Sequence, residues 1–196
     1  GNELHGVKGP LHVQDLNNPS HVNQYFLNAC AEQGVNISDD INGKEQSGAR
    51  LSQVTQHNGE RCSAAKAYLT PHLNRLNLTI LTNSHVNKIN IKNHTAKGVQ
   101  IERNKLVIDL FAKKEVILSA GAINSPQILM LSGIGPREHL KAHNIEIAVP
   151  LEGVGANLQD HLTVVPLFKA KYNKGTFGMS PLGIGHILKG CVDWFS

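Results

Sequence analysis

Residues 115–135, EVILSAGAINSPQILMLSGIG, constrain the fold of this chain more than any other stretch. An apolar run, Val116 to Leu118, gives way to Ser119-Ala120-Gly121, then to Asn124-Ser125-Pro126, then to the apolar segment Ile128 to Leu131, closed by Ser132-Gly133. This order predicts a strand, a tight turn and a helix, with Ser125 as helix cap and Pro126 in the first turn. Gly121 admits a backbone geometry, or a close approach, that a side chain would block. Unpaired N–H groups at such a helix start favour an anion or a polar ligand edge. The segment therefore predicts an α/β crossover beside a cofactor site, without naming the cofactor.

The flanking sequence fills in an α/β mixture. Ser20 caps a helix in which Val22, Tyr25, Phe26, Ala29 and Cys30 recur at helical period, and Gly34 closes it. Residues 49–57 suggest a strand, and Ser63 caps a short helix from Ala64 to Leu69 that Pro71 limits. The period then changes to two. Leu78 to Leu81, Val86 to Ile91, Val99 to Ile101 and Leu106 to Leu110 read as four short strands with Asn-, Gly- and Lys-rich turns between them, as in a meander. After the crossover, Pro136 opens a short helix to His143, residues 145–168 are extended, and residues 182–195 form a helix with an apolar face. That face suits a core or an interface better than a membrane surface, because few basic residues oppose it.

Composition excludes several classes of function. The 196 residues carry a formal net charge of +4, with the basic residues scattered and aromatics at only 5%, so a nucleic-acid surface is not expected. Cys30, Cys62 and Cys191 are odd in number and far apart, which argues against a disulfide framework or a zinc site and for a reducing compartment, the cytoplasm. No apolar run is long enough to span a bilayer, so association with a membrane stays an open alternative that the sequence does not support. His139 and His143 are four apart, but no HExxH glutamate lies between them and no third ligand is evident; a favourably charged helix end explains them. No metal site is expected. Neither Ser125 nor Ser132 lies in a Gly-x-Ser-x-Gly elbow, which removes a serine hydrolase. Asn157, Asp160 and His161 form a polar corner in which Asn157 and Asp160 satisfy loop N–H groups.

Gly121-Ala122, Ser125-Pro126, Ile128-Leu129 and Ser132-Gly133-Ile134-Gly135 resemble the second signature of the glucose–methanol–choline (GMC) flavoprotein oxidoreductases. Further segments match in the family's order: Gly9-Pro10-Leu11, Asp39-Asp40 with Asn42-Gly43, Arg61 to Ala65, Asn77-Leu78-Thr79, and Gly153 to His161. The resemblance is nearest to the choline dehydrogenase-like branch. It implies part of a Rossmann-like FAD-binding domain interwoven with a substrate domain. Residues 1–75 then belong to substrate-side and connecting segments, 76–161 to the FAD domain, and 162–196 to the start of the substrate domain.

The same resemblance implies FAD as cofactor. It places the main chain of Val86 against the adenine, and Ser119, Ala120 and Gly121 along the adenosine end. A strand valine packed in a core and tight strand–helix packing would account for the same residue types. The implied activity is oxidation of the CH–OH group of a small-molecule alcohol, choline or another primary alcohol, with hydride transfer to flavin and onward transfer to an unspecified electron acceptor. Members open with a GxGxxG turn; here Gly153-Val154-Gly155 begins one, but Leu158 stands at the third glycine. The family's catalytic His falls beyond the matching segments, so no residue here is assigned a catalytic role. The expectation is an internal fragment that alone neither retains FAD nor oxidises alcohols. The alternative is a non-catalytic binding or interaction module that keeps part of the fold.

Overall fold

The computed structural model describes residues 3–167 together with 184, 185 and 188. Helix and strand are mixed, and the chain divides into two compact units: Gly1–Leu78 with Pro166–Ser196, and Thr79–Val165. The helix expected over residues 182–195 lies almost wholly outside the described residues.

In the first unit, helix α1 (His21–Glu32) begins where the sequence predicts, with the Ser20 side chain accepting from the Val22 N–H at 3.4 Å. Gly34, at φ +78°, follows its end. The inward face differs from the expected one. Leu27 is the buried residue of the helix, whereas Tyr25 and Phe26 are 67% and 61% exposed. The expected strand over 49–57 reduces to single bridges, Gln14 to Val54 and Ile37 to Ala49, and to a small hairpin of β1 (Gln56–His57) and β2 (Glu60–Arg61). Ser63 does cap the next turn, accepting from the Lys66 N–H at 3.2 Å. That turn is a wide π-type helix, Ala65–Leu69, running into a 3-10 turn, Thr70–His72, that contains Pro71.

The Asp39-Asp40-Ile41-Asn42-Gly43 loop has a clear local logic. Asp40 Oδ1 accepts from the Asn42 N–H at 3.0 Å, Ser38 Oγ accepts from the Asp40 N–H at 3.0 Å, and Asp40 Oδ2 meets His5 Nε2 at 2.6 Å. A side chain on Gly43 would lie 2.7 Å from Asp40 Oδ2, so the bare glycine keeps that oxygen available to His5. The His5 hydrogen bond, the Asn42 N–H and the charges of His5 and Arg50 hold the Asp40 carboxyl below its ordinary value, against an opposing push from partial burial. Because the folded value is the lower one, the ionised carboxylate stabilises the fold above the unfolded-state value of about 4. That contribution disappears as pH falls through the folded value. Asp40→Asn is therefore expected to melt below the parent near neutrality, and the gap should close on acidification below about pH 4. Melting curves of both proteins across pH check this.

The second unit carries the meander as three strands: β3 (His85–Lys92), β4 (Thr95–Arg103) and β5 (Leu106–Phe111), in spatial order β3-β4-β5 and antiparallel throughout. Both hairpin turns, Asn93-His94 and Asn104-Lys105, hold two consecutive residues at positive φ, the geometry that matches strand twist. The fourth expected strand, Leu78 to Leu81, forms no ladder, and neither does Val116 to Leu118 ahead of the crossover. Each has the apolar β-rich composition of a strand, but a strand exists only by pairing, and no described segment pairs with either.

The crossover helix α2 (Gly121–Leu131) starts four residues earlier than its sequence signals suggest. Ser125 does not head the helix. It lies in its second turn, and its Oγ accepts from the Ala120 N–H at 3.1 Å, capping the start from within. Pro126 is consequently interior, where it removes the bond that the Ala122 carbonyl would otherwise accept. The two-residue strand β6 (Ile134–Gly135) then pairs in parallel with β7 (Val149–Pro150), and helix α3 (Arg137–Ala142) lies between them, with Pro136 and His143 as its caps. Ile89, Ile101, Ile128 and Leu140 are the buried apolar residues of this unit, and α2 packs on β3. Beyond β7, residues 151–167 form turns and unpaired extended chain rather than further sheet.

Candidate cofactor site

The residues expected to meet a ligand all lie in the Thr79–Val165 unit. Val86, half-buried, is the second residue of edge strand β3. The register slips between Val86 and Lys88, so Asn87 is an extra residue and the strand bulges there. Bulges bend a strand and re-aim its groups, which suits a place where backbone faces a ligand.

At the other element, Ser119 and Gly121 are exposed and Ala120 partly so. Gly121 has φ +87°, and beyond its chain neighbours and the backbone of its own helix no atom comes within 4 Å of where a Cβ would stand. Tight strand–helix packing, the alternative account of this glycine, does not hold at Gly121: the packed chain leaves the space open. Small residues, an exposed helix start and an unobstructed glycine suit close approach of a flat polar group such as an adenosine moiety.

Ser132 contributes more than the helix cap expected of it. It closes α2, donates its hydroxyl proton to the Ile128 carbonyl at 2.5 Å, and accepts the Ile89 N–H at 2.8 Å. The Ile89 amide points outward from the sheet edge, and the hydroxyl supplies the partner that a further strand would otherwise provide. A second unexpected contact crosses the sheet. Asn90 on β3 donates to Asp109 Oδ1 on β5 at 2.9 Å, passing over β4 where Gly98 stands opposite Asn90. An isolated glycine inside a strand pattern was the available signal for that position; nothing in the sequence points to the partner of Ser132.

The remaining candidates separate from this site or lack chemistry. Gly153-Val154-Gly155 lies in consecutive turns after the two-residue strand β7, with no helix following it in residues 156–167, and so does not form the strand–turn–helix of a dinucleotide cradle. Asp160 Oδ1 accepts from the His161 N–H at 2.8 Å, as expected of a polar corner, whereas Asn157 takes part through its backbone, at φ +55°, and not through a side-chain bond to a loop N–H. Between that loop and α2 lies an open, mainly apolar cleft of about 640 Å³ that includes Pro126, Met130 and Leu158. His139 and His143 stand edge to face, with ring centroids 4.7 Å apart on the exposed side of α3. Among the described residues no group of three or more His, Cys, Asp or Glu is placed to hold a metal, and no helix is long and apolar enough to cross a membrane.

Comparison with known proteins decides the family, since the GMC oxidoreductase model matches residues 2–163. The chain belongs to the GMC oxidoreductase family. Oxygen-dependent choline dehydrogenase from Brucella ovis is 44% identical over 159 residues, which covers 81% of this chain and 29% of that protein. The chain thus spans less than a third of the length of this curated relative. Among solved structures, a fungal aryl-alcohol oxidase superposes with a TM-score of 0.73 at 28% identity, over 78% of this chain and 26% of that one. An FAD-dependent oxidoreductase from Chaetomium thermophilum gives 0.68 at 26% identity, over 78% of this chain and 27% of that one. These GMC relatives are of the Rossmann-like flavoprotein type, in line with the α/β expectation.

Proposed function

We propose that this GMC chain is part of an FAD-dependent oxidoreductase that oxidises the CH–OH group of a primary alcohol, with choline the first candidate. The observation that carries the reading is the pairing of family membership with an open glycine turn ahead of α2. Gly121 leaves room beside an exposed helix start in the segment that bears the family's signature. The choline preference rests on similarity to an oxygen-dependent choline dehydrogenase, and the broader alcohol class also on similarity to an aryl-alcohol oxidase.

In this reading residues 76–161 belong to the FAD-binding domain, with 1–75 and 162–196 on the substrate side. FAD, when bound, supplies the acceptor for the hydride of the alcohol carbon. The residues of this chain bind and orient. The Val86 main chain meets the adenine edge, and Ser119, Ala120 and Gly121 admit the adenosine end. The α2 start presents N–H groups to polar oxygens there.

The test is anaerobic mixing of the complete, flavin-loaded protein with a panel of primary alcohols that includes choline. The expected result is loss of the flavin's visible absorbance with choline or another primary alcohol. Flavin that stays oxidised with every alcohol would refute the assigned reaction.

A further inference from the structure

Ser132 joins the two elements on which the adenosine reading depends. It is the last cap of α2, whose first residue is Gly121, and its hydroxyl holds the Ile89 amide of β3, three residues from Val86. The residue inserted between them, Asn87, forms the bulge. An edge strand with a bulge is the part of a sheet most free to slip, because only one side is paired. On the β4 side the register is fixed by the ladder, with Ile89 opposite Val99 and Val86 opposite Ile101. On the open side, Ser132 supplies a hydrogen bond that fixes the strand where the bulge ends. The hydroxyl is itself oriented by its 2.5 Å bond to the Ile128 carbonyl, so acceptor and donor roles are both assigned. Ile128 and Ile89 are each buried, which ties this bond to the apolar contact between helix and strand.

We infer that Ser132 is a positioning residue for the cofactor: by clamping Ile89 to the end of α2 it fixes the bulge at Asn87 and hence the direction in which the Val86 main chain faces the adenine. This rests on the FAD reading above and extends it to a residue that touches no part of the ligand. Removing the hydroxyl leaves the Ile89 N–H without its partner in a partly buried place and frees the bulge to sample other registers. Threonine keeps the hydroxyl and should keep the clamp.

The experiment compares the complete protein with its Ser132→Ala and Ser132→Thr variants. Three quantities are read: affinity for FAD, affinity for ADP as a probe of the adenosine half alone, and hydrogen exchange of the 86–89 amides without ligand. In Ser132→Ala the account expects FAD and ADP to weaken by the same factor, about fivefold to tenfold, the size of one hydrogen bond's net worth. Exchange at 86–89 should quicken, and Ser132→Thr should restore all three. A lowered melting temperature with unchanged ADP and FAD affinity, measured well below melting, would show a purely structural serine and overturn the inference. Parent protein that binds ADP but no FAD, or neither, would instead overturn the flavin reading on which the inference stands.

Discussion

Gly98→Ala is expected to unfold the Thr79–Val165 unit at temperatures where the parent is stable. Gly98 sits in the central strand β4 at φ +155°, and an added Cβ would run into the Leu110 carbonyl group, 2.9 Å from its carbon and 2.9 Å from the Phe111 Cα. These are backbone atoms of the neighbouring strand, with Phe111 directly opposite Gly98 in the ladder, so no rotamer change can make room. Relief requires β4 and β5 to part. The Ala112 N–H to Lys97 carbonyl bond at 2.8 Å lies at the same end of the pair and would go with them. Overpacking and backbone strain together should cost about 3–5 kcal/mol, which is roughly 12–40 °C in melting temperature for a unit of this size. Thermal melting with hydrogen exchange at the β4 and β5 amides measures it. A variant melting within a few degrees of the parent, with β5 amides still protected, would show that the two strands are not held as described.

Leu140→Ala should cost nearly as much by the opposite route. Leu140 is 0% exposed, the most deeply buried side chain of the chain's described part. It lies on α3, the connection between the paired parallel strands β6 and β7, and faces Gly135, whose bare α-carbon leaves space that Met130 and Leu140 fill. The α3 turn also depends on this residue's backbone, since its carbonyl accepts the Ile145 N–H at 2.9 Å. Truncation leaves a cavity beside Gly135 that the short β6–β7 pair cannot close without shifting, so the loss should fall at about 2–5 kcal/mol. Leu131→Ala, at a residue 45% exposed, is the comparison and should cost clearly less. Urea unfolding of the three proteins reads the order, and equal midpoints for the two variants would contradict the burial assigned to Leu140.

Features fixed by neighbouring residues were the ones legible from the sequence. Ser20 and Gly34 bound α1, and Pro136 with His143 bounds α3. Period-two runs separated by Asn-His and Asn-Lys turns give the three strands β3, β4 and β5. Most of what failed depends on residues far away. Leu78 to Leu81 and Val116 to Leu118 have strand composition, yet pairing belongs to a partner segment and not to composition. The start of α2 was misplaced because Ser125 caps backwards to Ala120 rather than forwards. The same limit hid the most informative part of the candidate site. Ser132 and Ile89 are 43 residues apart, and no local pattern records that they meet. The residues proposed to meet FAD came from family resemblance, and what the structure adds is the bulge beside Val86 and the open space at Gly121.

The central claim is that the turn before α2 receives the adenosine end of FAD, and flavin occupancy of the complete protein beside its Gly121→Val variant tests it most directly. With nothing within 4 Å of the added Cβ position beyond its chain neighbours and the backbone of its own helix, the valine is directed at the ligand rather than at packed protein. Its φ of +87° adds a strain of about 1–2 kcal/mol for any L-residue, which apo-protein melting measures separately. The account predicts that the parent purifies with FAD bound and that Gly121→Val loses it while the apo-protein still melts cooperatively, a little below the parent. Equal flavin occupancy in the two proteins would contradict it and move the adenosine end away from Gly121.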